Sequence, residues 1–398
     1  MRANKHTASC HRPVLTEESA ESTNSSFIQP LSAHFYEKEI PPFVEKQLET
    51  LYQSIYCSVA RIRLYEPVND LMTFIATAGS EIKILILFRI NGEVVKVVNQ
   101  QVRFSKDDLS YFSHQIFAKY ATINRIDFYA LDCSIDSSAF GFLYQQVPEV
   151  EENVIVLPAN TEKYLQMLSS KTRNGIIKSI KKTISTYPSY CFDVFEHDQI
   201  TLDHIKILAR LADLRMEFKH RCSYFRPGAI ETLARLAQTH GYLSIITING
   251  EICAANLCFI VGTRHFGHVI AHDPCYNAYS LGLQINLQTI MYGISRGAKE
   301  FWMMGGGAQE KSRFQAHSVV LNSIFIYRSK KSALRHWPTY IRIEKKKTAF
   351  LMKKALVETS LQENLTGQVA TRLLHCFRLG RKALQQMKHA TITSIAKI

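Results

Sequence analysis

The spacing of apolar residues along this chain changes repeatedly between short unbroken runs and helical periods. Ile82 to Ile90 and Glu93 to Val102 are two strand-like runs on either side of Asn91-Gly92, a pair suited to the positive φ angles of a tight hairpin. From Lys106 to Tyr120 the period lengthens, and Leu109, Phe112, Ile116, Phe117 and Tyr120 fall on one face of an expected helix. Ile40 to Tyr56 reads as a segment with a first helix, and Val59 to Tyr65 as a strand. Arg125 to Leu131 and Val154 to Pro158 read as strands.

A similar progression follows Asn160. Glu162 to Ile184 reads as one basic helix and Tyr190 to Glu196 as a strand. Leu202 to His220 and Pro227 to His240 are expected helices. Tyr242 to Ile248 and Glu251 to Val261 flank a second hairpin signal, Asn249-Gly250. Strand Arg264 to Ala271, helix Leu283 to Arg296 and strands Phe301 to Met304 and Ser318 to Tyr327 complete the series. Helix, Asn-Gly hairpin, helix and strand thus occur twice, which predicts an α+β fold of two tandem units: residues 31–159 and 160–327, with a leader at 1–30 and a helical tail at 328–398.

Composition adds a boundary to this picture. The chain has 398 residues, 46% hydrophobic and 21% charged, as expected of a folded globular protein. No apolar run approaches the ~18 residues that span a bilayer, and residues 1–26 lack the apolar centre of a secretory signal, so a cytoplasmic setting is expected. The nine cysteines are scattered without a Cys-x-x-Cys pair, which suits buried thiols in a reducing compartment. The net charge of +14 is concentrated: sixteen Lys and Arg stand against three acidic residues from Arg328 onward, leaving the first 327 residues almost neutral.

Candidate chemistry gathers between Gly267 and Phe314. Ile270-Ala271-His272-Asp273-Pro274 ends a strand, a polar loop runs from Asn277 to Ser280, and Gly282 stands at a helix start. The first amides of a helix lack intrahelical acceptors and carry partial positive charge, so Ser280, Leu281, Gly282, Leu283 and Gln284 are candidates to hold a phosphate. Ser280 is equally suited to be an ordinary N-cap. His265, His268, His272 and Cys275 raise the question of zinc, but strand alternation puts His268 and His272 on one face and His265 on the other, so no metal is expected.

These motifs resemble the GNAT N-acyltransferase superfamily, in particular its CelD-like or BioF2-like acetyltransferases, over Asn160 to Tyr327. The matching residues are Ser169-Ser170-Lys171-Thr172-Arg173, Asn249-Gly250-Glu251, Asp273-Pro274-Cys275-Tyr276, Ser280-Leu281-Gly282, and Gly306 followed by Lys311, Arg313 and Phe314. Leu281 replaces a usual Pro, and Glu310 stands where the family carries a Tyr. The resemblance implies acyl transfer from acetyl-CoA or another acyl-CoA to an amino sugar, amino acid or peptide amine, in cell-envelope or exopolysaccharide biosynthesis. It implies backbone contacts to the acyl-pantetheine from Leu257 and Cys258, pyrophosphate binding at Ser280 to Gln284, and an anion contact from Lys311. His272 and Asp273 become the candidate proton acceptors. Lys171, Arg173, Arg215, Glu217 and Arg313 become candidate substrate contacts, with residues 220–225 as a lid. Fem-type transferases, two-domain relatives using aminoacyl-tRNA, provide an alternative in which tRNA is the partner. A noncatalytic interaction protein on the same fold is a third reading, because of Glu310.

The tail carries Val369, Leu373, Leu374, Phe377, Leu384 and Met387 near helical spacing among basic residues. Such a helix suits an anionic membrane surface, so peripheral attachment at the inner face of the membrane is expected.

Overall fold

The computed structural model describes residues 30–135, 140–218, 225, 228–304, 311–360 and 366–373. The leader, Gly306, Glu310, most of the expected lid and the tail stripe from Leu374 onward lie outside the described residues.

The first half runs β1 (Ser32–Tyr36), α1 (Pro42–Tyr52), α2 (Val59–Tyr65), β2 (Met72–Ala78), β3 (Glu81–Asn91), β4 (Val94–Val97), α3 (Lys106–Lys119), β5 (Arg125–Leu131) and β6 (Leu143–Val156). The second begins with α4 (Thr161–Met167) and α5 (Ser170–Thr186), then repeats the plan: β7 (Cys191–Glu196), α6 (Leu202–Phe218), α7 (Ala229–His240), β8 (Gly241–Ile248), β9 (Glu251–Val261), β10 (Arg264–His272), α8 (Leu281–Ser295), β11 (Glu300–Trp302) and β12 (His317–Tyr327). Two further helices follow, α9 (Lys330–Arg335) and α10 (Trp337–Ser360). None of the described helices is long and apolar enough to cross a membrane.

All twelve strands form one sheet in the order β1-β2-β3-β4-β5-β12-β6-β11-β10-β9-β8-β7. The order is symmetrical apart from one exchange: β6 pairs with β11 of the second half, and β12 pairs with β5 of the first. The two exchanged strands pair with each other from His317↔Val154 to Tyr327↔Leu143. Each half has a single parallel junction, β4 with β5 and β10 with β11. The fold is therefore mixed α+β, a large sheet flanked by helices, as its repeated pattern predicts.

Helices cover both faces. In the second half α6 and α7 pack over Leu243, Leu257, Phe259 and Trp302, while α4, α5 and α8 pack over Ile155, Tyr242, Cys258 and Phe301. Period-two alternation sends successive strand residues to these opposite layers.

Three local expectations are corrected. Val59 to Tyr65 is helix α2, because Val59 and Ile62, three apart, bury together against Val44 and Leu48 of α1; the Arg61/Arg63 alternation misleads. The expected helix from 162 to 184 is two helices, broken at Leu168; the Ser169 hydroxyl caps α5 by accepting from the Thr172 amide at 3.2 Å. The histidines of β10 also differ. A bulge between Gly267 and Val269 shifts the alternation, so His265 and His272 both face α8, whereas the His268 ring packs at a tilt against Phe259 under α6 and α7. Strands β1 and β2 have no clear sequence signal; β2 is a short, mostly buried run without a period.

Candidate functional site

The sheet opens where β11 stops. Strand β10 pairs with β11 only through Phe266↔Trp302, and β11 pairs with β6 only through Trp302↔Val154. Beyond that point Gly267 to His272 of β10 and Pro148 to Asn153 of β6 continue without a paired strand between them. A missing strand leaves two inter-strand spacings, or about 10 Å, between their backbones. The first half closes its corresponding opening: Gln101 N donates to Ala130 O at 2.8 Å and Asp132 N to Val102 O at 3.0 Å. In the second half Met303 N instead donates to Asn153 O at 2.7 Å, and the Asn153 side-chain amide to Met304 O at 3.1 Å.

The opening leads along β10 to a 3-10 turn, Pro274–Tyr279, and then to α8. Ser280 adopts φ 54° and makes no side-chain cap; its carbonyl accepts from the Leu283 amide at 2.9 Å and the Gln284 amide at 3.2 Å. The expected Ser280 N-cap is thus absent, and the amides of Leu281 and Gly282 begin the helix without an intrahelical acceptor. The matching helix of the first half, α3, differs. Ser105 and Asp108 form a capping box there, and Asp107 adds a second acid to the first turn. Only α8 of the pair presents the positive helix end to an anion.

Gly282 is required by close approach and not by a positive φ: a Cβ there would stand 2.9 Å from His272 Nδ1. His272 Nε2 lies 3.0 Å from Asn277 Oδ1, and Asp273 Oδ1 accepts from the Cys275 amide at 2.9 Å. Both candidate proton acceptors therefore face the α8 layer and shape the loop. Gln284 is wholly buried and its amide donates to Thr183 Oγ1 and Tyr279 O, each at 2.8 Å, fastening α8 to α5. Ser179 Oγ also donates to Tyr279 O, and Lys182 Nζ stands 4.9 Å above the Tyr279 ring, bringing a cation of α5 beside the turn.

The remaining candidates are dispersed. Leu257 and Cys258 sit in β9 between β8 and β10, so both edges of that strand are paired and their backbone is not presented to the opening; this corrects the role implied for them. Burial pushes the Cys258 thiol up to about 12. Leu281 is a core side chain and Leu283 is partly buried. Lys171 is exposed at the start of α5, and Arg173 donates to Leu165 O at 3.2 Å. Arg215 of α6 reaches the β10 edge, donating to Ile270 O at 3.0 Å, whereas Glu217 is exposed on the last turn of that helix. Lys311 Nζ donates to Met303 O at 2.6 Å and to Met304 O, just past the end of β11. Arg313 is exposed. Among the described residues no group of three or more His, Cys, Asp and Glu is arranged to hold a metal.

Sequence reasoning missed Glu152. It lies on β6 opposite Val319, on the same face as Val150 and Val154, beside the opening and within the layer under α6 and α7. Only 4% of it is exposed, and among the described residues its Oε2 has no hydrogen-bond partner. Burial pushes its carboxyl up to about 7, against an opposing pull from Lys311. The neighbouring acids are partnered: Glu149 binds Lys346 and Ser323, and Glu151 binds Ser318. The available signal was an acid at an inward position of an alternating strand, Val150-x-Glu152-x-Val154.

This carboxyl makes stability depend on pH. The unfolded chain's Glu ionises near pH 4.3, whereas folded Glu152 keeps its proton to about 7. Between those values the native state binds more protons, so stability falls as pH rises through the window and then levels off. Glu152→Gln should relieve about 3 kcal/mol at pH 8 and little at pH 4.5. Thermal melts at both values check this; an equal change at both would contradict it.

Comparison with known proteins agrees with the geometry. The acetyltransferase (GNAT) domain family matches residues 170–312. The crystal structure of FemX superposes with a TM-score of 0.56 at 9% identity, covering 75% of this chain and 99% of that one. The structure of L-PGS from Bacillus licheniformis gives 0.48 at 16% identity, covering 78% and 98%. A tandem GNAT protein from the clavulanic acid biosynthesis pathway gives 0.38 at 10% identity, covering 74% and 98%. No curated protein matches the sequence. Residues 170–312 carry an acetyltransferase (GNAT) domain, and the chain is a transferase enzyme.

Proposed function

We propose that the chain transfers an acyl group from acyl-CoA to an amine. The observation that carries this reading is the strand-wide opening between β10 and β6, which runs to the uncapped start of α8. A pyrophosphate suits the amides of Leu281 and Gly282. The pantetheine arm, an extended chain with two amides, suits the unpaired edge of β10 as an added strand would. Lys182 supplies positive charge beside the nucleotide end. The thioester then lies near the end of β11, and the amine approaches from the α6 and α7 side, past Arg215 and Glu217.

The acceptor class is an amino sugar, amino acid or peptide amine, in envelope or exopolysaccharide synthesis of the kind carried out by the cellulose-biosynthesis branch. The similarity to FemX supports a second reading, in which aminoacyl-tRNA supplies the acyl group. In α10, exposed Lys345 and Lys354 and half-buried Lys347 accompany exposed Leu351 and Met352, which suits an anionic membrane surface.

Calorimetry with acetyl-CoA and with charged tRNA separates the donors. One-site binding of acetyl-CoA is expected; salt-sensitive tRNA binding without it would replace the first reading with the second. In the same series, vesicles rich in phosphatidylglycerol should carry the protein in flotation. Flotation unchanged by Lys345→Glu, Lys347→Glu and Lys354→Glu together would remove the membrane role.

A further inference from the structure

We propose that Glu152, supplied by the strand which the first half inserts into the sheet of the second, is the base that takes the proton of the acceptor ammonium. This rests on the acyltransferase reading and gives that site its proton acceptor. Three geometrical observations carry it. Glu152 lies two residues along β6 from Val154, whose partner Trp302 ends β11, so it stands at the mouth of the opening. It projects into the layer under α6 and α7, on the face of the sheet away from His272. Its Oε2 is buried and has no hydrogen-bond partner among the described residues, while Glu149 and Glu151 on the same strand are engaged.

Buried carboxylates are ordinarily paired, and an unpartnered one beside an opening is suited to bind a substrate cation. The surroundings are defined by several elements. Tyr56 packs edge-on to Phe266 of β10, with their ring centroids 6.3 Å apart. Arg61 of α2 stands 4.5 Å from the Tyr56 ring and 5.2 Å from the Tyr65 ring. Glu152 acts electrostatically on Tyr56, as does Tyr129 of β5. Lys311 favours ionised Glu152, and burial, with a smaller push from Arg61, holds His268 down at about 4, so that the imidazole is neutral near pH 7 and is a poor proton acceptor. Among these groups Glu152 is the one whose proton affinity, about 7, matches the task.

The Glu152 carboxylate removes one proton from the ammonium and later releases it to solvent. The neutral nitrogen attacks the thioester carbon; the C–N bond forms and the C–S bond breaks. The remaining surplus proton of the nitrogen goes to the departing sulfur, giving an amide and a free thiol.

Glu152→Gln preserves shape and removes the base. Acetyl-CoA affinity, read by calorimetry, should change less than threefold. Thiol release from acetyl-CoA, with glucosamine, lysine and diglycine as acceptors, should fall by about 10²–10⁴-fold in kcat and lose its acidic limb near pH 7. Unaltered acetyl-CoA binding with the limb retained would overturn the proposal while leaving the acyltransferase reading intact; failure of wild-type protein to bind acetyl-CoA would overturn both. Should none of the three amines react, carbon-13 spectra of glutamate-labelled protein decide. The resonance lost in Glu152→Gln should titrate near 7 and move when acetyl-CoA is added. A midpoint below 5, or no response to acetyl-CoA, would overturn the assignment.

Discussion

A chain stopped after Ala316 will not fold. Strand β12 fills the place between β5 and β6, pairing with β6 along its whole length and with β5 over its second half. Removing it deletes Leu321, Ile324, Ile326 and Tyr327, all fully buried, and uncovers the core they pack against. Each such side chain contributes roughly 1.5–3 kcal/mol on burial, so the four together rival the entire net stability of about 5–15 kcal/mol. The cut also opens both halves at their shared seam. A chain stopped after Arg328 retains β12 and should keep a cooperative thermal transition by circular dichroism. A native-like melt of the shorter chain would refute the exchanged-strand account of stability.

The second large effect is expected at Gly282. In Gly282→Val the new Cβ would stand 2.9 Å from His272 Nδ1 and 3.1 Å from Cε1, forcing the ring off the first turn of α8. The branched side chain would also cover the first-turn amides that suit the pyrophosphate. Two or three lost charge-assisted hydrogen bonds at about 1.5–3 kcal/mol each predict at least a hundredfold weaker acetyl-CoA binding. The fold should persist, since Gly282 is on the rim and the core contacts of Leu281 and Ile285 are retained. Calorimetry checks the affinity and circular dichroism the fold; wild-type affinity in the variant would show that the anion lies elsewhere.

Much of the second half was legible because its elements have long periods and explicit turns. Asn91-Gly92 and Asn249-Gly250 mark both hairpins, and β5 and β9 have the limits their apolar runs suggest. What the sequence could not show was pairing over long distances. The exchange of β6 and β12 depends on which strand edges meet, and no local pattern records that. The same holds for the β10 bulge: one additional residue moves His272 from the face of His268 to the face of His265. Hence the turn and helix start from Ser280 to Gln284 were legible in the sequence, whereas the strand exchange that carries Glu152 to the opening was not. Glu152 lies just before the strand expected from Val154 to Pro158, whereas β6 runs from Leu143 to Val156, and only tertiary structure brings it beside the opening along β10.

The duplicated plan also explains how one half acquired the site. Ser105 and Asp108 cap α3 and backbone bonds close the first opening, whereas α8 has no side-chain cap and the edge of β10 away from β9 has no paired strand after Phe266. The first half instead contributes β6, one wall of the opening.

Hydrogen exchange with and without acetyl-CoA tests this asymmetry most directly. The account predicts protection of amides in residues 267–284, on the β10 edge and the first turn of α8, with no change in residues 98–110 around the start of α3. Protection at α3, or none along β10 and α8 under saturating acetyl-CoA, would contradict it.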